Sequence, residues 1–279
     1  MSYIVIDKSY LQKVVNNASL DILAATNKIV ITDILMYEIT SSKDKASSKS
    51  CLKKLYDIKK SVVFMTHSGS LIEYEIVNKK PCYPFSEFLT PRYHYSAFWE
   101  RIYGLMNDDP LYRDVAEHLN KQYFDFYENN NVGRIREIGN DFSKIFPELK
   151  GYKPGSKTMD TTSLKKDIAV NSDRTKRLMK ASAFLIKKDG NSYSFKASEY
   201  MDEKWIYFRT LQTHLIYYVS YVEKYGDEAG NLYSKKLSHD SVDLEYCTCG
   251  VHAGKIATSD KMIRDIFSYF YPSENCFYK

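Results

Sequence analysis

Two short apolar runs, far apart in the chain, each lead into an aspartate: Tyr3-Ile4-Val5-Ile6-Asp7 and Lys255-Ile256-Ala257-Thr258-Ser259-Asp260. Such runs are too short for core helices, and their β-branched residues read as strands buried on both faces. Lys28–Thr32 and Ser61–Met65 are two more. Helical spacings lie between them. Leu11, Val14, Val15, Ala18 and Ile22 form one stripe, Asp33 is placed to cap a helix from Ile34 to Thr40, and a further helix covers Cys51 to Lys60. Ser41 to Ser50 is polar and reads as a loop. The order β-α-β-α-α-β predicts a parallel sheet with helices on its faces.

In an open parallel sheet, ligands bind outside the carboxyl ends of the strands. Asp7 and Asp260 end strands, Glu38 sits on the helix after the second strand, and Asp243 opens a helix expected over 240–252. That helix precedes the strand 255–259 and a last helix over 260–270. The four carboxylates are therefore expected at one edge of the sheet.

Residues from about 80 to 236 follow another pattern. Pro81, Pro84 and Pro91 punctuate the beginning, and Asp109-Pro110 is a helix start. Leu111, Val115, Leu119, Tyr123 and Phe126 form an apolar stripe, and Ile135, Ile138, Phe142 and Ile145 form a second. Gly151 to Ser163 reads as a basic loop, Phe184 to Phe195 as a hairpin around Asp189-Gly190, and Trp205 to Val222 as a buried helix. The expected organisation is an α/β domain of residues 1–80 and 237–279, interrupted by a mostly helical insertion, 81–236.

Charge is unevenly placed. The chain carries +5 overall, yet residues 150–188 hold eleven Lys/Arg against three Asp, leaving the remainder acidic. A localised basic segment fits a phosphate-bearing partner, and equally a solvated loop. Lys165, Lys166, Arg174, Lys176, Arg177 and Lys180 are the candidate nucleic-acid contacts, with Tyr152, Tyr193 and Phe195 as stacking candidates. No apolar stretch is long enough for a membrane span. The five cysteines show no disulfide-framework spacing and no basic-then-apolar leader is visible, so a cytoplasmic protein is expected.

Carboxylates gathered from separate elements are the donor set of Mg²⁺ or Mn²⁺, which prefer oxygen ligands. Crowded carboxylates repel and resist joint ionisation, so a fold that collects four normally has a cation to neutralise them. Each also has an ordinary reading alone. Asp7 and Asp260 would cap helices, Asp243 belongs to a capping arrangement with Asp240, and Glu38 is a solvated helix charge.

The segments Ile4-Val5-Ile6-Asp7-Lys8-Ser9, Ile31-Thr32-Asp33-Ile34-Leu35-Met36-Tyr37-Glu38, Asp243-Leu244-Glu245-Tyr246 and Ala257-Thr258-Ser259-Asp260 resemble the four ordered motifs of the PIN-domain nucleases. The resemblance covers roughly the first 65 and last 40 residues. It implies a PIN-like α/β/α sandwich with a central parallel sheet, and a Mg²⁺- or Mn²⁺-dependent hydrolysis of phosphodiesters, most often in RNA. By match, Asp7, Glu38, Asp243 and Asp260 take the metal-ligand roles, while Ser9 and Thr258 supply the accompanying hydroxyls. Asp240 competes with Asp243, whose seventeen-residue spacing to Asp260 fits better. Lys8 departs from the pattern, standing where a small hydroxyl residue is common. A stand-alone nuclease of this kind would resemble a microbial toxin or phage-defence effector, with an inhibitor or activator protein as partner and self-association open. DNA stays open as a substrate beside RNA.

Other chemistries compete. Arg113 with His118, and Arg209 with His214, have the Arg-x4-His spacing of metal-free HEPN ribonucleases. Cys247, Cys249 and His252 invite a zinc reading, although two residues separated by one on a helix point apart. His239, beside the acids, reads first as a surface histidine, with proton donation to a leaving group as the alternative. A catalytically silent nucleic-acid-binding or scaffold protein is the rival from another class.

Overall fold

In a computed structural model, the described residues are 2–14, 18–66, 68–82, 93–122, 146–155, 160–170, 173, 175–177, 201–226 and 234–278. Five strands form one parallel sheet: β1 (Ser2–Ile6), β2 (Asn27–Thr32), β3 (Val62–Met65), β4 (Ile256–Ala257) and β5 (Cys276–Phe277), in the spatial order β3-β2-β1-β4-β5. Ile4, Val5 and Ile6 have no exposed surface, and all four residues of β3 are buried. That two-sided burial is why these strands appear in the sequence as unbroken apolar runs.

The topology sets the location of the site. From β1 the chain proceeds outward through β2 to β3, then returns more than 180 residues later to add β4 and β5 on the opposite flank of β1. The order of strands thus reverses between β1 and β4. A crevice at the carboxyl ends of the strands on either side of such a switch point is where open α/β sheets bind ligands.

The helices are α1 (Lys8–Lys13), α2 (Ala18–Thr26), α3 (Asp33–Thr40), α4 (Lys45–Asp57), α5 (Ser68–Asn78), α6 (Tyr93–Met106), α7 (Thr161–Ala169), α8 (Ile206–Tyr225), α9 (Ser234–Ala253) and α10 (Lys261–Phe267). Residues 110–122 are also helical. α9 packs on β1 and β4 and carries α8 on its outer side, while α8 also contacts α5, α7 and α10. α8 is buried nearly all round, and its Leu211, Leu215, Ile216 and Val219 belong to the same core as the strands. Two of its buried polar side chains tie it to its neighbours. Gln212 Nε2 donates to the carbonyls of Ile168 and Ala169 at the end of α7, and the Thr213 hydroxyl pairs with that of Thr248 at 2.9 Å.

Two helix starts are finished by carboxylates from distant parts of the chain. α8 follows Trp205, which supplies no side-chain cap. Glu75 of α5, fully buried, instead accepts the N–H groups of Ile206 and Tyr207, together with that of Cys82. α5 is itself capped from α9, where Glu245 accepts both the N–H and the hydroxyl of Ser68. Free N–H groups at a helix start carry partial positive charge, which a carboxylate satisfies and stabilises.

Several sequence expectations change. Residues 45–50, expected in a loop, open α4, because the Asp44 side chain accepts the Ser47 N–H. Thr32 rather than Asp33 caps α3, its hydroxyl oxygen accepting from Leu35 N. The strand expected over 255–259 is two residues long, and the helix expected over 260–270 ends at Phe267. α5 and β5 were not anticipated. The apolar stripe at 135–145 and the hairpin at 184–195 lie outside the described residues. Among the described residues no helix is long and apolar enough to cross a membrane.

Candidate functional site

Asp7 immediately follows β1 and is 2% exposed. It caps α1 by accepting the Tyr10 N–H at 2.8 Å. Ser9 Oγ donates to its carboxylate at 2.8 and 2.9 Å, and the Thr258 hydroxyl reaches it from beyond β4. The two hydroxyls link the strand ends further: Ser9 Oγ accepts the Ser259 N–H at 2.8 Å, and Thr258 Oγ1 accepts that of Asp260 at 3.0 Å. Asp260 then caps α10 through the Ile263 N–H at 3.0 Å. Both aspartates therefore are helix caps, and both are also at the switch-point crevice.

Glu38 and Asp243 complete the cluster from two helices. The Glu38 carboxylate accepts the Tyr246 hydroxyl at 2.7 Å, and the Glu38 carbonyl accepts Lys8 Nζ at 3.0 Å. Asp243 is on α9, one turn before Tyr246, so both occupy the same helix face.

The acids act on one another electrostatically. Burial raises the Asp7 carboxyl above its ordinary value, opposed by its hydrogen bonds, and the charge of Asp260 adds to the rise. Glu38 is raised by burial too. Tyr246 and Lys8 partly offset this, while Asp7 and Asp260 reinforce it. Asp243 is pushed up to about 8, by burial first and then by the negative charges of Asp260, Glu38, Asp240 and Asp7. A carboxyl group raised this far by burial and then by neighbouring carboxylates stands in a buried, acidic surrounding.

Asp240 stands one turn back along α9, where it accepts the Tyr217 hydroxyl at 2.5 Å. It acts on Asp243, while Asp243 also feels Asp7, Glu38 and Asp260. The four acids meet around Asp243, with Asp240 beside them.

All-oxygen donors in an acidic surrounding suit a hard divalent cation. The side chains as placed do not yet close on one: among the described residues no three His, Cys, Asp or Glu groups are arranged to hold a metal ion.

The other candidates fall elsewhere. Cys247 and Cys249 are buried, with Cys249 Sγ beside Glu245 at 3.8 Å. His252 lies 3.8 Å from Cys82 Sγ and is pushed down to about 4 by burial and by Arg209. Cys82 is thus the thiol beside His252, and among the described residues these groups do not assemble a metal-holding set. Arg113 pairs with Asp108 and His118 with Gln122, both exposed. Arg209 bonds Gln212 and the Glu203 carbonyl, and His214 bonds the Thr210 carbonyl. His239 is exposed.

Of the basic candidates, Lys166 and Arg177 are exposed and Lys176 is half-buried. Lys165 is 5% exposed, with Nζ 2.6 Å from Glu223, so its charge is held inside the fold. Tyr152 is buried. Arg174, Lys180, Tyr193 and Phe195 lie outside the described residues. Sequence reasoning missed the roles of Tyr246 and Lys8. Both had a visible signal, since Tyr246 is three residues after one acid on a helix and Lys8 adjoins another. No family model, no curated protein and no solved structure matches the chain.

Proposed function

We propose that the protein is a Mg²⁺- or Mn²⁺-dependent nuclease that hydrolyses phosphodiester bonds, with RNA as the favoured substrate. The observation that carries this reading is the convergence of Asp7, Glu38, Asp243 and Asp260 at the reversal of strand order, where Asp243 is pushed up to about 8. When bound there, a divalent ion supplies an activated water and offsets charge developing on the phosphate. The chain supplies the carboxylates that hold it, and Ser9 and Thr258 orient Asp7. Lys166, Lys176 and Arg177 offer positive charge for a nucleic-acid backbone. A PIN-like sandwich and a role as a microbial toxin or phage-defence effector follow from the motif resemblance and belong to the same proposal.

A second reading has its own support. Because the four carboxylates do not close into a metal-holding arrangement, a nucleic-acid-binding protein without catalytic activity is consistent with the same fold. The arginine–histidine pairs offer less, since each member is engaged away from its mate.

The deciding experiment is cleavage of total RNA and single-stranded DNA with Mn²⁺ and with EDTA, beside Asp260→Ala. Metal-dependent cleavage that the variant lacks, with RNA binding retained, is the expected result. Absence of cleavage, with binding indifferent to metal and to the substitution, favours the silent binding protein.

A further inference from the structure

A glutamate in mid-helix has three rotatable side-chain bonds and no cap to fix them. The Glu38 carboxylate is nevertheless held: Tyr246 donates to Oε2 at 2.7 Å across 208 residues of chain, while Lys8, the residue after Asp7, donates to the backbone carbonyl of Glu38. Tyr246 is 1% exposed, its ring belonging to the core. The helix that delivers Asp243 therefore also delivers the group that holds Glu38.

We propose that Tyr246 is a positioning residue for Glu38, fixing the carboxylate that a divalent cation would bind; this rests on the metal-site reading above. A carboxylate oriented in advance loses less freedom when the cation arrives. With Asp243 and Tyr246 on one face of α9, a single rigid element sets the relative placement of two of the four acids.

Tyr246→Phe keeps the ring and removes the donor. Mn²⁺ is titrated against the wild type, Tyr246→Phe and the core control Ile266→Val, following thermal unfolding in each. The half-saturating Mn²⁺ concentration should rise about tenfold or more in Tyr246→Phe, the usual size for loss of an outer hydrogen bond to a metal ligand. In Ile266→Val it should stay within about twofold, since a generic loss of stability does not alter the site. In a Glu38→Gln background, Tyr246→Phe should add no comparable loss. Equal half-saturation in the wild type and Tyr246→Phe, or the same rise in Ile266→Val, overturns the positioning role while leaving the metal site standing. A wild type that does not respond to Mn²⁺ overturns the metal-site reading itself, and this proposal with it.

Discussion

Glu75 accepts the N–H of Ile206 at 2.9 Å across 131 residues of chain, giving α8 the N-terminal cap that its own sequence lacks. The same carboxylate also accepts the N–H groups of Tyr207 and Cys82. Glu75→Ala leaves buried donors without a partner and should cost about 2–3 kcal/mol. Glu75→Gln keeps one oxygen acceptor and should cost about 1 kcal/mol. Urea unfolding measures both. Equal, negligible losses would mean that water satisfies these N–H groups instead.

Asp243 should make the protein sensitive to alkali. Its folded carboxyl is pushed up to about 8 from an ordinary 3.8. Between these values the folded state binds more protons than the unfolded one, so stability falls as pH rises. The contribution is complete below the ordinary value and is lost on passing about 8, with a slope of at most about 1.4 kcal/mol per pH unit. In EDTA, Asp243→Asn should flatten the fall in unfolding midpoint between about pH 5 and 9. Mn²⁺ should flatten it in the wild type. Parallel curves for wild type and variant would remove Asp243 as the source.

Neighbouring lysines should behave differently. Lys165 is held by Glu223 inside the fold, whereas Lys166 and Arg177 are exposed. Arg177→Ala or Lys166→Ala should weaken RNA binding and reduce the salt slope by about one each. Lys165→Met should alter stability and leave the salt slope unchanged. Filter binding at several salt concentrations distinguishes them, and identical slopes throughout would place the RNA surface elsewhere.

The strand-ending acids were legible because β1 is buried on both faces. Its apolar run is continuous and stops abruptly at Asp7. β5 was not, because two residues, Cys276 and Phe277, make no pattern. α5 opens with Ser68-Gly69-Ser70, a run that reads locally as a breaker. What makes it a helix start is Glu245, 177 residues away, and local patterns hold no trace of that bond. Within the site Asp7 and Asp260 could be read from the ends of apolar runs, whereas Asp243 lies midway along α9 and Glu38 late in α3, where a local pattern shows only a helix. The bonds that join them, Thr258 to Asp7 and Tyr246 to Glu38, are long-range and appear only once the strands are ordered.

The position of β4 beside β1 has a consequence for the newly made protein. Asp7 and Glu38 leave the ribosome ahead of Asp243, Tyr246, Thr258 and Asp260, which emerge only after some two hundred further residues have been translated. Until then β1 lacks its neighbour on that flank, Asp7 lacks the Thr258 hydroxyl and Glu38 lacks its phenol. Chains fold from the N-terminus as they are synthesised, so a half-made chain carries an incomplete site. Whatever chemistry the carboxylates perform is withheld while the message that encodes them is still being read.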